Sequence, residues 1–445
     1  MTKVLILAYD FPPYVSVGAL RPFSWYRYLK DYDVYPIIVT RQWANKYGNQ
    51  LDYVAPGELP ETLIEETEYG TLIKTPYHPN ISNRLLLKFG DSRFKFLRKA
   101  ITGFYEFFQF PFFIGPKTEI YNAANKFLSE NKVDAIIATG DPFILFKYAS
   151  QLSQNYDIPW YADYRDPWIQ NKKSNGFNFF LMWQSYFEKK FLKNVETIFT
   201  VSSFVKAQII QNQSGKEFEF ITNGYDPQGI DEIRKIPQNK TILSIAFMGT
   251  VYKWHPIKQF LEVCNELIMS NFSLQLNFYG ISNENEVLDP IKEDYFALKD
   301  KIRIYPKMSN KQLLNNLAAN NILLLFNDYS ILGTKIYDYL AIQRKIILCF
   351  IEDKETQVLK KKHYYIKEFE DQSQHLQQDL ILETNSGIVV KDKGHLKQVL
   401  NDIYTEFTQN GFIACNSNGI EKYSRKIQAQ KLAEILKAKQ KQDLY

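Results

Sequence analysis

From one end of the chain to the other, short β-type runs alternate with longer helical ones, and that alternation admits few folds. Parallel strands need a crossover of a dozen or more residues, usually a helix, and sheets built this way carry helices on both faces. In the first half the strand-like runs are Val4 to Ala8, Val34 to Val39, Ala135 to Ala138, Trp160 to Ala162 and Thr197 to Val201. The series restarts with Leu243 to Met248, Ser273 to Tyr279, Ile302 to Tyr305, Ile322 to Phe326, Ile346 to Phe350 and Gly387 to Val390. Between them lies Tyr225 to Lys240, rich in Pro, Gly, Gln and charge, which reads as a hinge. A chain of 445 residues also exceeds what one hydrophobic core supports. The expectation is an α/β protein of two doubly wound, Rossmann-like domains, residues 1–225 and 241–418, facing across a cleft. Residues 419–445 carry Ile427, Ala429, Leu432, Ile435 and Leu436 at helical spacing and predict a terminal helix.

Hydrophobic residues make up 45% of the chain, ample for two cores. Cys264, Cys349 and Cys415 lie far apart, without paired spacing or a Cys-His cluster. This argues against a disulfide framework and a structural zinc site, and for a reducing cytoplasm. The amino terminus offers only the apolar run Val4 to Tyr9, ending in Asp10 and Pro12-Pro13, and nowhere do 18 apolar residues follow one another. A cytoplasmic protein, neither exported by a standard signal nor spanning a membrane, is expected.

The net charge of +5 is modest but unevenly placed. Between Arg84 and Ala100 the bases Arg84, Lys88, Arg93, Lys95, Arg98 and Lys99 stand against Asp91, interleaved with leucines and phenylalanines. Phe104, Tyr105, Phe107, Phe108, Phe110, Phe112 and Phe113 follow. A basic amphipathic stretch with aromatic partners suits an anionic bilayer, so residues 84–113 are a candidate peripheral membrane contact. The same pattern also suits a helix pair whose aromatics pack inward and whose charges are solvated. The cluster is too short, and the overall charge too small, for a nucleic-acid partner.

Ligands of open α/β sheets bind beyond the carboxyl ends of the strands, so the loops after strands are where chemistry is sought. After the strand Ile322 to Phe326 comes Gly333-Thr334-Lys335-Ile336-Tyr337-Asp338 at a helix mouth. Helix-opening N–H groups attract phosphate, Gly333 lets backbone come close, Lys335 adds a point charge, and Asp338 on the same face accepts ribose hydroxyls. A nucleotide diphosphate fits this arrangement. A solvated Lys335–Asp338 pair on a surface helix would give the same letters. After the first strand, Asp10-Phe11-Pro12-Pro13 leads to Gly18-Ala19-Leu20-Arg21 at a helix start. After the third comes Thr139-Gly140-Asp141-Pro142, with Asp141 placed as a helix N-cap. After the fourth comes Asp163-Tyr164-Arg165-Asp166-Pro167-Trp168, two carboxylates and a guanidinium that suit either a cleft role or an inert ion pair. The second series offers Gly249-Thr250-Val251-Tyr252-Lys253 after its first strand.

In order and spacing these segments, with Thr200-Val201-Ser202-Ser203 and Asn223-Gly224-Tyr225-Asp226, resemble the family 4 glycosyltransferases of the GT-B fold. Those are retaining enzymes that move a sugar from a nucleotide-sugar to an acceptor. The resemblance spans essentially the whole chain. It implies an acceptor-binding first domain, a nucleotide-sugar-binding second domain, and a terminal helix that packs back on the first. The family places two glutamates with seven residues between them, one on the donor sugar and one on the ribose. Here Asp338 takes the second place and Ser330 the first. The family's arginine after the Gly249 position is Thr250 here, with Lys253, His255 and Lys258 as replacements for the diphosphate-neutralising cations.

The resemblance implies a reaction driven by charge. Lys335 and Lys253 would stabilise the negative charge that grows on the leaving diphosphate, and Asp166 with Arg165 would polarise the cleft. Gly249, Thr250, Ser330, Gly333, Thr334 and Asp338 would bind the donor, a UDP-sugar. Gly18, Ala19, Arg21, Asp141 and Asp163 would line the acceptor side, for a glycan or lipid-linked acceptor in bacterial surface polysaccharide or glycolipid synthesis. Same-face attack needs no protein base, and neither cofactor nor catalytic metal is expected. Asp31-Tyr32-Asp33, which matches a manganese-binding acid pair, reads as surface. Ser330 and Thr250 keep a non-catalytic glycan-binding scaffold open, and an epimerase would bind the same diphosphate. A dinucleotide oxidoreductase is disfavoured because the first loop lacks Gly-x-Gly-x-x-Gly.

Overall fold

The computed structural model describes residues 1–43, 50–169 and 178–442. Its first sheet runs β3-β4-β2-β1-β5-β6-β7-β8. The strands are β1 (Thr2–Leu7), β2 (Val34–Arg41), β3 (Leu63–Glu66), β4 (Thr71–Thr75), β5 (Ala135–Gly140), β6 (Trp160–Tyr164), β7 (Thr197–Thr200) and β8 (Phe218–Phe220). All pair in parallel except β3, which runs antiparallel to β4 at the edge. Its helices are α1 (Val17–Tyr28), α2 (Gln50–Val54), α3 (Ile81–Phe89), α4 (Lys95–Phe108), α5 (Thr118–Glu130), α6 (Ile144–Tyr156), α7 (Phe179–Phe191) and α8 (Ser203–Ile210). Strands β5, β6 and β7 are buried at every residue, as expected when helices cover both faces. Their largely apolar sequences suit that environment, and the charge they do bury, Asp163, is paired with Arg21.

The second sheet runs β11-β10-β9-β12-β13-β14 and is parallel throughout. It comprises β9 (Leu243–Met248), β10 (Leu274–Tyr279), β11 (Ile302–Tyr305), β12 (Ile322–Phe326), β13 (Lys345–Cys349) and β14 (Gly387–Val389). Around it lie α9 (Ile230–Arg234), α10 (Ile257–Met269), α11 (Asn285–Glu293), α12 (Asn310–Ala318), α13 (Lys335–Ile342), α14 (Lys354–His363), α15 (Leu376–Glu383) and α16 (Lys393–Asn410). The last helix, α17 (Arg425–Gln442), belongs to the first unit. By contacts the chain divides into Met1–Thr222 with Arg425–Tyr445, and Asn223–Ser424.

Segment 225–240, read as a hinge, is anchored to the second unit. Tyr225, Ile230 and Ile233 are buried in the second unit's core, and Arg234 Nε donates to the Ala341 carbonyl at 2.8 Å. The Pro, Gly and charge that read as a hinge sit between these anchors. Helix α17 buries Ala429, Leu432, Ala433 and Leu436 against Val4, Ile6, Trp25 and Leu29, an i, i+3, i+4, i+7 stripe on a polar helix. Each buried leucine contributes about 1.5–3 kcal/mol. Lys426 pairs with Asp31 at 2.9 Å, so the first acid of Asp31-Tyr32-Asp33 fastens α17 from the surface.

Strand order now selects the functional edges. In each sheet the chain begins near the middle, winds one way, and then resumes on the other side of its first strand. The switch points fall between β1 and β5 in the first sheet and between β9 and β12 in the second. Carboxyl-end loops part there and leave a crevice.

Candidate functional site

At the second switch point the loops after β9 and β12 come from adjacent strands. Gly249 ends β9 with φ +84°, a left-handed conformation that an L side chain resists, and open space lies where its Cβ would stand. Open space likewise faces Gly333. Thr334, the N-cap of α13, makes no side-chain capping bond, so the first N–H groups of that helix are left to other acceptors. Lys335 is the first helical residue, half-buried, with Nζ 4.8 Å from the centre of the Phe247 ring. Burial pulls its pKa below the ordinary lysine value, while the Asp328 carboxylate pulls the other way. Asp338 lies one turn further along the same helix, half-buried. Lys253 is exposed on the loop after β9, and Thr250 Oγ1 is 3.4 Å from Ser282 Oγ.

Sequence reasoning missed the buttress beneath this edge. Asp328, two residues past β12, is buried and accepts from His255 Nε2 at 2.8 Å, Trp254 Nε1 at 3.3 Å and Gln377 Nε2 at 3.3 Å. Its backbone N–H donates to Gln377 Oε1 at 2.7 Å. The tautomer of His255 follows from its two partners. Nδ1 accepts the Tyr252 N–H at 3.2 Å, so Nε2 carries the proton that Asp328 receives. Burial keeps His255 below its ordinary pKa, hence neutral, against the opposing pull of Asp328. Burial would raise Asp328, but His255 and Lys335 outweigh it and the carboxyl stays below its usual range. His255, held in the sequence as a replacement cation, is therefore a neutral, buried hydrogen-bond donor instead.

Ser330 is buried, and its hydroxyl donates to Glu368 Oε1 at 3.1 Å. Glu368 also pairs with Lys360 at 2.8 Å, and that ammonium lies 4.1 Å from the Tyr329 ring centre. A carboxylate thus reaches Ser330 from 38 residues away in sequence. The opening signals available were the aspartate two residues after a buried strand and the histidine six residues past Gly249.

In the first unit the loops after β1, β5 and β6 converge. Ser16 caps α1 by accepting the Gly18 N–H at 3.0 Å and donates to Asp10 Oδ2 at 2.7 Å. Arg165 Nε donates to the Gly140 carbonyl at 2.6 Å and Nη2 to the Asp141 carbonyl at 3.0 Å. A Cβ on Gly18 would overlap the Arg165 guanidinium and approach Asp10 Oδ2 to 2.9 Å, so only glycine admits this packing. Burial raises the Asp10 pKa, with Ser16 and Arg165 opposing and Asp141 reinforcing. Asp166, at the loop surface, is likewise raised by the surrounding protein, against Arg165 and with Asp141.

Other predicted residues are occupied elsewhere. Arg21 and Asp163 form a buried pair, with Arg21 Nη2 to Asp163 Oδ1 at 2.7 Å and Nε to both carboxylate oxygens at 3.0 and 3.1 Å. The remaining nitrogen, Nη1, donates to the carbonyls of Ile221 and Thr222 at 2.7 and 3.1 Å. The pair ties α1 to the ends of β6 and β8, and Ala19 is buried on the same helix. Asp141 is not an N-cap. Helix α6 starts after Phe143 without a side-chain cap, and Asp141 is exposed between two cis peptide bonds. Among the described residues no group of three or more His, Cys, Asp and Glu side chains is placed to share a metal ion.

No protein-family model matches the sequence, and comparison with curated proteins gives no match. Solved structures do match over almost the full length. A glycosyltransferase from Rickettsia africae superposes with a TM-score of 0.58 at 13% identity, covering 98% of both chains. Anabaena Alr3699/HepE in complex with UDP gives 0.57 at 11% identity, covering 98% of this chain and all of the other. The sucrose-phosphate synthase of Thermosynechococcus elongatus gives 0.53 at 11%, covering 98% and 95%. At such identities the likeness establishes the architecture, and that architecture is GT-B, an α/β fold of two Rossmann-like units.

Proposed function

We propose that the protein is a retaining glycosyltransferase that moves a sugar from a nucleotide-sugar, a UDP-sugar in the first instance, to a glycan or lipid-linked acceptor without a metal. The carrying observation is Lys335 at the uncapped mouth of α13, beside the open Gly249 turn, at the switch point of the second sheet. Bound UDP in the Anabaena neighbour supports a uridine donor. When the anomeric C–O bond breaks, charge grows on the leaving diphosphate, and Lys335 with the α13 N–H groups stabilises it more in the transition state than in the ground state. Because half-burial disfavours the Lys335 ammonium, a diphosphate has a poorly solvated cation to complete.

In this reading Asp328 and His255 fix the loop that aims Lys335, and Lys253 reaches the diphosphate from the facing loop. Asp338 takes the ribose hydroxyls, and Glu368 restores beside Ser330 the carboxylate that the resemblance assigns to the donor sugar. Thr250 and Thr334 bind through backbone and hydroxyl groups. Asp10, Arg165, Asp166 and Asp141 line the acceptor side, where the raised carboxyls of Asp10 and Asp166 hold sugar hydroxyls while the departing phosphate oxygen takes the proton. Surface polysaccharide or glycolipid synthesis at the cytoplasmic face, with peripheral membrane contact through 84–113, belongs to the same proposal. No helix among the described residues is long and apolar enough to cross a membrane.

The test is to incubate the protein with UDP- and GDP-sugars, with and without lipid-linked acceptors, and to measure nucleotide release. Release that depends on acceptor supports the reading. Donor binding without turnover would instead indicate a glycan-binding scaffold, and interconversion of sugar nucleotides without acceptor an epimerase.

A further inference from the structure

Helix α4 has fourteen residues and buries one, Arg98, which closes on Asp91 at 2.7 Å. The α3–α4 hairpin is held by polar contacts, Ser82 Oγ to the Arg98 carbonyl at 3.1 Å and to Thr102 Oγ1 at 2.9 Å. Leu86 of α3 is buried, but other apolar residues are left outside, Phe96 at 88% exposure and Phe104 and, just past α4, Phe112 above half. Phe104, Phe108 and Phe112 stand in file, with ring centres 4.8 and 6.2 Å apart. They line a groove of about 500 Å³ with Tyr105, Ile114 and Gly115.

The apolar face continues onto α7. Phe107 stacks on Trp183 at 4.4 Å, and Trp183 Nε1 donates to the Phe107 carbonyl at 3.0 Å. Phe179, Met182 and Tyr186, one stripe of α7, are each more than half exposed. Around these aromatics Arg84, Lys88, Arg93, Lys95, Lys99, Lys189 and Lys190 are exposed. Of the two acids in 84–113, Asp91 is already paired and Glu106 alone opposes them. An apolar surface ringed by cations is complementary to an anionic bilayer, where aromatics enter the interface and lysines meet lipid phosphates. A soluble protein partner of ordinary composition matches the apolar part without the charge.

We propose that the α3, α4 and α7 faces form one docking surface for an anionic bilayer and that the Phe104–Phe108–Phe112 groove seats a hydrocarbon chain of a membrane lipid. This adds α7 and a chain-binding site to the peripheral contact above, and it stands on surface observations that the donor site does not enter.

The full chain is sedimented with phosphatidylcholine vesicles with and without phosphatidylglycerol, and Trp183 fluorescence is quenched with acyl-brominated lipid, taking Trp183→Phe as the subtraction. Expected are salt-sensitive binding to the anionic vesicles only, quenching that disappears in Trp183→Phe, and binding weakened by about tenfold or more in Phe104→Ser/Phe112→Ser and in Lys95→Glu/Lys99→Glu. UDP affinity stays unchanged in these variants, which separates lost docking from lost folding or a failed donor site. Equal binding to both vesicles, no binding, or the absence of a Trp183 contribution would overturn the proposal. So would a stable dimer that Met182→Glu dissociates, since a second copy would then cover this face.

Discussion

Replacing Lys335 by methionine removes one charge while keeping a stem of similar length over Phe247. A cation about 4 Å from a phosphate oxygen at an effective dielectric near 20 is worth about 4 kcal/mol. Catalysis gains only from the part that grows as the diphosphate departs, and the two phosphates share that charge. Roughly two-thirds of the interaction, about 2.7 kcal/mol, corresponds to a loss of about 10²-fold in kcat, in line with removal of one oxyanion-stabilising donor. Stability should move by less than about 1 kcal/mol, because losing the ammonium–ring contact is offset by relieving a charge that burial disfavours. A second readout is independent of turnover. Lys335 is one of the groups that hold His255 below its ordinary pKa, so the His255 titration followed by NMR should shift upward in Lys335→Met. UDP release under saturating donor gives kcat, and urea unfolding gives stability. A kcat within about threefold of wild type, in a variant whose His255 titration has moved as expected, would refute the assignment of Lys335 to the leaving diphosphate.

Arg21→Ala should cost about 3–5 kcal/mol in urea unfolding, because it leaves the buried Asp163 carboxylate unpaired and two carbonyls without a donor. Acidification supplies a test of the His255–Asp328 buttress. The native His255 pKa lies below the ordinary value, so the unfolded chain takes up a proton near pH 6.5 that the folded chain refuses. Stability should fall as pH drops below about 6.5, by up to about 1.4 kcal/mol per pH unit, and His255→Gln should flatten that slope in unfolding curves at successive pH values. Asp328, held low, keeps its contribution above the ordinary carboxylate range and loses it only as pH falls through its own depressed value. Gly18→Val should displace Arg165 and raise the acceptor KM about tenfold with little change in donor KM, measured by two-substrate kinetics.

Strands with both faces covered announce themselves as largely apolar runs, and Leu243–Met248 and Ile322–Phe326 have the bounds the sequence predicts. Strands β3, β4 and β8 escaped because Leu63–Glu66 at the sheet edge and Thr71–Thr75 beside it mix polar residues, and Phe218–Phe220 is three residues around a glutamate. The loops that carry the candidate site were legible because an alternating fold confines ligands to the carboxyl ends of its strands. Side-chain partnerships inside those loops were not. His255 and Asp328 are 73 residues apart and Arg21 and Asp163 are 142 apart, and only the strand order brings each pair together. The basic residues thus separate into a half-buried lysine at a helix mouth, a neutral buried histidine and a buried arginine paired with a carboxylate.

Helix α17 closes a sheet whose central strand is the first in the chain. Some four hundred residues of other structure are synthesised between Val4 and Leu432. On the ribosome, then, part of one face of the earliest sheet stays uncovered while the whole later unit is made. Removal of α17 would expose Val4, Ile6, Trp25 and Leu29 on that face.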